Sequence, residues 1–241
     1  MRSNKLLAIS LVLIVALSII IYTVPSFASE DNTEAERKFR IIRFQVEIVN
    51  VTDSGIVVES ELYNGTIFAK GKWLYISENL GKSAWKDAKE MIELGDAKIL
   101  MVVIKRGDRR IPVLLGVKQE GLILMREAFT MRSIAEHVRI KGFLSVTGTV
   151  VKTGEDYLIL NVRGQNVLFR ISQDLTWTIA GDGETTWSDI RREFSEGDQV
   201  KAYFHEIIRF NDLFTSFTGI RAIAGGYGTF IDLTDGVTIT T

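Results

Sequence analysis

The stretch Trp85–Asp96 (WKDAKEMIELGD) recurs further along the chain as Trp187–Asp198 (WSDIRREFSEGD), with W-x-D and the following G-D at the same spacing in both. A motif that returns at fixed internal spacing indicates a duplicated unit. In each copy the apolar residues have helical spacing, and the Gly supplies the residue that ends a short helix. The chain therefore predicts two modules of the same fold in tandem.

Short apolar segments with strand character surround each copy of the motif. They alternate with turn-forming residues such as Thr52–Gly55 and Lys152–Asp156. Ser83 in the first copy, and Thr185 or Thr186 in the second, are the expected N-caps of the helices. The predicted strands are 41–51, 56–58, 67–76, 98–104 and 111–117 in the first module, and 143–151, 157–162, 167–171, 200–208 and 214–223 in the second.

A few strands, one short helix before the fourth and then a hairpin are the order of a small OB-like barrel. We therefore expect a mainly β protein with two tandem OB-like β-barrels, at residues 41–118 and 140–226. Residues 119–139 are predicted to join them as an amphipathic helix, with Leu124, Ala128 and Met131 on its apolar face. That face is expected to cover the second apolar face of the strand at 98–104.

The N-terminus has the pattern of an export segment. Arg2 and Lys5 precede an uncharged run from Leu6 to Val24, and small residues follow at Ser26-Phe27-Ala28. The length of the run favours an uncleaved membrane anchor, whereas the small residues favour a cleaved signal peptide. We expect residues 1–28 to be one or the other, residues 29–40 to be a flexible stalk, and the remainder to lie outside the cytoplasm.

Composition excludes several classes of function. The chain has no Cys, so thiol chemistry and disulfides are absent. Removing Arg2 and Lys5 changes the formal net charge from −1 to −3, which does not favour nucleic acid as a partner. Phosphate-binding loops, nucleophile elbows and Ser-His-Asp sets are not apparent, so we expect no cofactor and no enzymatic activity.

Two groups of residues are candidate ligand contacts. On one predicted strand, polar and aromatic residues alternate with core residues; on a predicted hairpin tip, four basic residues flank Gly107-Asp108. These candidates are Lys201, Tyr203, His205 and Arg209 on the strand, and Lys105, Arg106, Arg109 and Arg110 at the hairpin tip.

Metal sites have little support in the sequence. Asp182, Glu184 and Asp189 are close enough in the chain to hold a hard cation. The first copy has Leu80 and Lys82 where the second has Asp182 and Glu184, which favours the interpretation of solvated acids near a helix N-terminus. His137 and His205 have no partner at a metal-binding spacing.

The second module resembles secreted prokaryotic OB-like β-barrel domains of unknown function. Matching residues include Gly148-Thr149-Val150, Thr176, Trp187, Glu196-Gly197-Asp198-x-Val200 and Gly219-Ile220. The resemblance extends over about residues 143–225 and, more loosely, over 44–118, where the pattern after Gly95-Asp96 departs at Ala97. It implies a fold and a cell-surface setting, and no activity.

These observations predict a non-enzymatic extracytoplasmic module that binds a ligand or forms part of the cell envelope. The alternatives are OB-type recognition of polysaccharide or nucleic acid, and a hydrolase with an acidic site at Asp182–Asp189. The expected partners are the membrane, through an uncleaved N-terminus, and an envelope protein or polysaccharide. Residues 227–241 are predicted to be a tail whose alternating Val237–Thr240 segment pairs with a sheet edge, in its own chain or in a second copy.

Overall fold

The structure is a computed structural model, and it describes residues 41–135, 139–225 and 228–241. The predicted export segment (1–28), the predicted stalk (29–40) and His137 lie outside the described residues. Among the residues that are described, no helix is both long enough and apolar enough to cross a bilayer.

The first module contains a closed five-stranded barrel. Its elements are β1 (Ile41–Thr52), β2 (Gly55–Glu59), β3 (Gly65–Phe68), β4 (Lys72–Ile76), β5 (Leu80–Ala84), α1 (Trp85–Ala88) with a 3-10 turn (Lys89–Met91), β6 (Gly95–Arg106), β7 (Arg109–Gln119) and β8 (Leu122–Arg126). β1 pairs antiparallel with β2 and β6, β2 with β3, and β6 with β7. The barrel closes where β3 meets β7 in parallel, at Phe68 and Val113.

The second module has the same barrel topology. After α2 (Glu127–Ala135) come β9 (Arg139–Thr153), β10 (Tyr157–Val162), β11 (Gln165–Arg170), β12 (Trp177–Ile179), β13 (Gly183–Thr185), α3 (Trp187–Ile190) with a 3-10 turn (Arg191–Glu193), β14 (Gln199–Arg209), α4 (Asp212–Thr218), β15 (Ile220–Gly225), β16 (Thr229–Asp232) and β17 (Thr238–Thr240). Parallel pairing of β11 with β15 closes this barrel, as β3 with β7 closes the first. The prediction of two tandem barrels, consistent with an OB-like fold, is confirmed.

The repeated tryptophans have the same structural role in both modules. Trp85 and Trp187 are 4 % and 2 % exposed, and each begins the helix that precedes the fourth barrel strand. Each indole N–H donates to a carbonyl at the turn between the first two strands of its barrel: Thr52 O at 3.1 Å and Gly154 O at 3.0 Å. The repeated motif therefore fastens the helix to the same turn in each barrel.

The helix caps differ between the copies. Thr186 caps α3 as predicted: its hydroxyl accepts from the backbone N–H of Asp189 and donates to the Asp189 carboxylate at 2.6 Å. The prediction of Ser83 for α1 is wrong, because Ser83 belongs to β5 and the N-cap position is held by Ala84, which has no side-chain acceptor.

Each barrel has its own apolar core, and a third core lies between the barrels. Ile99 and Met101 of β6 point into barrel 1, whereas Leu100 and Val102 point into the third core. That core is completed by residues of barrel 2, including Tyr157, Ile159, Leu168, Phe210, Phe214, Phe217 and Ile220. The second apolar face of β6 thus lies against barrel 2, and the prediction that the connecting helix covers it is wrong.

Polar contacts add to this interface at the loop between β4 and β5. The Tyr157 hydroxyl donates to Ser77 O at 2.5 Å, and the Leu80 N–H donates to the Asp156 carboxylate at 2.7 Å. Burial, together with the nearby carboxylates of Glu78 and Asp156, raises the pKa of Tyr157 to about 12. Its phenol therefore remains protonated and able to donate over the whole neutral range.

The segment predicted as one connecting helix, 119–139, is only partly helical. Gly121 has φ +73° and turns the chain back, so that β8 pairs with β7 and β4. Leu122 and Leu124 alternate into the core of barrel 1, a strand period that sequence reasoning assigned to a helix. The helix begins at Glu127, and Met131, predicted for its apolar face, is 53 % exposed.

The strand predicted at 214–223 begins as a helix. Asn211 caps α4 by accepting from the Phe214 N–H at 2.8 Å, and Gly219 ends it with φ +85°. Strand pairing resumes only at Ile220. Phe214 and Phe217 on α4 contribute to the core between the barrels, which selects the helix over a continued strand.

The C-terminal segment pairs within the chain. β16 lies beside β14, with Val200 opposite Asp232, and β17 lies between β16 and β12. Phe230 and Ile239 enter the core of barrel 2. Both edges of β17 are therefore occupied by strands of its own chain. Of the two arrangements expected for this tail, the structure has the pairing within the chain.

Candidate functional site

The strand residues predicted as ligand contacts lie on the outer face of β14. Ala202 and Phe204 are buried inside the barrel, so the alternating Lys201, Tyr203 and His205 point outward. The Lys201 ammonium is 5.0 Å from the centre of the Tyr203 ring. Arg209 lies four residues beyond His205, roughly 13 Å along the strand, and does not join this group.

A neighbouring strand adds an aromatic residue that the sequence analysis missed. Phe143 on β9 is 74 % exposed, and its ring centre lies 5.6 Å from that of Tyr203 and 5.9 Å from that of His205. A bulge in the β9–β14 pairing between Phe204 and Glu206 occurs beside these rings. The signal was available, since Phe143 is an apolar residue at an outward position of a strand whose Leu144 and Val146 contact the core.

We call Phe143, Tyr203, His205 and Lys201 the aromatic platform. Phe143 and His205 are exposed and Tyr203 is half-buried, and rings of this kind with a nearby cation can stack against a ligand that also offers acceptor oxygens. His205 hydrogen-bonds to none of the described residues, so no described group orients its imidazole as a general base.

The basic residues at the hairpin tip are placed as predicted. Lys105 and Arg106 end β6, and Arg109 and Arg110 begin β7. All four side chains are exposed, and none forms an ion pair with a described residue. The tip is an exposed positive patch, and none of its four basic side chains makes a cation–π contact with a described aromatic ring.

The three acids suggested for a cation do not form a ligand set. Asp182 is exposed on the β12–β13 turn, Glu184 is exposed on β13, and the Asp189 carboxylate accepts from the Thr186 hydroxyl. The interpretation as solvated acids near a helix start therefore fits their placement.

A different set of acids comes together on barrel 2. One carboxylate oxygen each from Asp198, Asp232 and Asp235 lies within 4.8 Å of the others, the one such triad among the described residues. Asp198 precedes β14, Asp232 ends β16, and Asp235 lies in the β16–β17 turn. We call these residues the carboxylate triad. The D-x-x-D-G spacing at 232–236 was its local signal in the sequence.

Barrel 1 carries an open groove of about 810 Å³. Acidic side chains dominate its walls: Glu47, Glu59, Glu61, Asp96 and Glu120. Lys118 also lines it; burial and the neighbouring Lys98 lower the pKa of its ammonium, which donates to Thr218 O at 3.0 Å. This lysine is therefore committed to the contact between the barrels.

The face that OB folds most often use for ligands is not free in barrel 2. OB folds bind chain-like ligands across strands 2 and 3. The corresponding strands, β10 and β11, present Tyr157, Ile159 and Leu168 to the core between the barrels. The exposed aromatic surface of barrel 2 lies instead on β9 and β14. No protein-family model matches this chain, and no curated protein matches it either.

Proposed function

We propose that this protein is a non-enzymatic, extracytoplasmic module of the cell envelope that binds polysaccharide on the aromatic platform. The observation that carries the proposal is Phe143, 74 % exposed and held beside Tyr203 and His205. A large ring left in water on a folded surface favours a ligand that covers it. Pyranose rings have an apolar face for stacking and hydroxyls that accept from Lys201.

Charge favours a sugar polymer over nucleic acid. The formal net charge is −1 for the whole chain, and the basic side chains of the hairpin tip make no cation–π contact with a described aromatic ring. Binding of single strands combines a positive groove with stacking, and the groove of barrel 1 is lined mainly by acids. Export rests on the uncharged run of Leu6–Val24; an N-terminus at Ser29 in the mature protein would identify a cleaved signal.

Sedimentation with insoluble cell-wall polysaccharides tests the binding, using the full chain in mild detergent. We expect Phe143→Ala to weaken binding about tenfold, or ~1.4 kcal/mol. Phe68→Ala is the matched control, because Phe68 is an exposed phenylalanine of barrel 1, at 41 %. It should bind like the wild type.

Three results would contradict the proposal. Equal binding by Phe143→Ala and wild type would move the site elsewhere. Binding of single-stranded DNA, together with no binding of any polysaccharide, would identify nucleic acid as the ligand. Release of soluble sugar during the incubation would show enzymatic turnover.

A further inference from the structure

The carboxylate triad brings three acids together with no nearby cation of the protein. None of Asp198, Asp232 and Asp235 has a Lys, Arg or His nitrogen within 4.0 Å among the described residues. Like charges this close repel one another unless a proton or an ion intervenes. A cation bound between the three carboxylates would relieve this repulsion.

Asp232 shows which atom lacks a partner. Its side chain is fully buried, with 0 % exposure. Oδ1 accepts from the backbone N–H groups of Thr234 at 2.7 Å and Asp235 at 3.2 Å, whereas Oδ2 is buried and has no hydrogen-bond partner among the residues that the structure describes. Leaving a buried carboxylate oxygen unsatisfied is costly, and buried charges are normally paired or bound to metal.

We propose that the carboxylate triad binds one Ca²⁺ ion, with Asp232 Oδ2 as the central ligand and an oxygen from each of Asp198 and Asp235 beside it. All three donors are hard carboxylate oxygens, and the triad includes no His or Cys, so the site suits Ca²⁺ and not zinc. Asp235 is exposed, which leaves the outer side of the ion open to water ligands.

The position of the triad gives the ion a structural consequence. Asp198 comes from the start of β14, whereas Asp232 and Asp235 belong to the β16–β17 hairpin. Two hydrogen bonds already join these segments: the Leu233 N–H donates to Gln199 O at 2.7 Å, and the Gln199 N–H donates to the Thr234 hydroxyl oxygen at 3.0 Å. A bound cation fastens the hairpin, and with it Phe230 and Ile239, to barrel 2.

The first copy of the repeat lacks this site. Asp96 occupies the position that matches Asp198, but it is exposed on the wall of the open groove and belongs to no such triad. In the part of the chain that the structure describes, the other two ligands come from the hairpin that follows the last strand of barrel 2. The site is therefore a feature that the second module acquired through its tail.

Calcium titration of the EDTA-treated full chain by calorimetry, with thermal unfolding in parallel, tests the proposal. We expect saturable binding of one Ca²⁺ per chain and a rise in Tm of about 5–10 °C at a hundredfold excess over Kd. Asp235→Asn should weaken binding at least tenfold while the chain without calcium unfolds at the wild-type temperature, because Asp235 is exposed. Asp198→Asn provides a second variant, and Asp182→Asn, an exposed acid outside the triad, is the matched control.

Two outcomes would overturn the proposal. The first is an absence of saturable calcium binding together with an unchanged Tm. The second is calcium binding that Asp235→Asn and Asp198→Asn leave intact, or that Asp182→Asn weakens equally. Asp232→Asn adds a stricter test at the buried ligand. If the Asp232→Asn protein does not fold, the Asp235→Asn and Asp198→Asn variants still decide between these outcomes.

Discussion

Gly116 of barrel 1 and Phe217 of barrel 2 meet in the core between the barrels, and substituting both tests whether this contact joins the two folds. A β-carbon built on Gly116 lies 2.8 Å from Cε1 of Phe217 and 2.7 Å from Sδ of Met125. Contacts shorter than 3.0 Å are essentially never observed for real β-carbons. Gly116→Ala therefore forces a neighbour to move, and such overpacking costs about 1–3 kcal/mol of the free energy of unfolding.

The second substitution reverses the effect of the first. Phe217 is 1 % exposed, so Phe217→Ala should itself cost about 3–5 kcal/mol. Once the ring is removed, the Met125 side chain, whose Sδ lies 2.7 Å from the added β-carbon, can move into the space that the ring leaves. We therefore expect the cost of Gly116→Ala to fall in this background, with a coupling energy of about 0.5–3 kcal/mol.

Urea unfolding followed by tryptophan fluorescence measures these changes in both barrels at once. Trp73 and Trp85 report on barrel 1, and Trp177 and Trp187 on barrel 2. We expect one transition for the wild type, because the barrels share a buried core. Phe169→Ala is the control: Phe169 is 2 % exposed within barrel 2's own core, so its cost should add to that of Gly116→Ala within about 0.5 kcal/mol.

Additive costs for Gly116→Ala and Phe217→Ala would refute this reasoning. They would mean that Met125 alone moves to accommodate the added methyl group and that the Phe217 ring does not contribute to the cost. Two separate transitions in the wild type would refute the wider conclusion that the core between the barrels couples their unfolding.

Three further predictions concern the repeat and the polar contacts between the barrels. Thr186→Ala should lower the free energy of unfolding by about 0.5–2 kcal/mol in urea, whereas Ala84→Thr should raise it, because α3 has a side-chain cap and its counterpart α1 has none. Trp187→Phe leaves the Gly154 carbonyl without its donor and should cost at least about 1–3 kcal/mol; unchanged stability would contradict that role. Burial raises the pKa of Tyr157 to about 12, so its contribution is complete below pH ~10, the pKa of the unfolded phenol, and is lost as the pH rises toward 12. Comparing unfolding across this window should show a decline for the wild type that Tyr157→Phe lacks.

The duplicated barrels were predictable because their markers are local. Trp85 and Trp187 each begin a helix whose position in the order of elements is the same, and Gly95 and Gly197 have φ +117° and +98° where the chain enters the fourth strand. The start of a helix and the glycine that follows it are both specified by a few neighbouring residues, so a short motif contains them. The spacing was therefore enough to predict two modules, and the order of strands and helix around the motif predicted that each is a barrel.

The predictions from the sequence are wrong where the apolar pattern fits both a strand and a helix, and tertiary contacts determine which of them forms. Leu122 and Leu124 fit both a strand and the helix predicted for 119–139, and pairing with β4 and β7 selects the strand. The carboxylate triad could not be assembled from the sequence, because β14–β16 pairing places Val200 opposite Asp232 and so brings Asp198 close to the hairpin. No local pattern specifies that register.

Burial between the barrels also explains why the proposed ligand surface belongs to the second copy. β6 and β14 are the fourth strands of their barrels. Each has one face in the core of its own barrel and a second face directed outward. The outer face of β6 presents Leu100 and Val102 to barrel 2, where they are 0 % and 8 % exposed. On the outer face of β14, His205 is exposed and Tyr203 is half-buried, and the exposed Phe143 of β9 lies beside both rings. The outer face of the fourth strand thus forms the contact between the barrels in the first copy, whereas in the second copy it carries the aromatic platform on which we propose that the ligand binds.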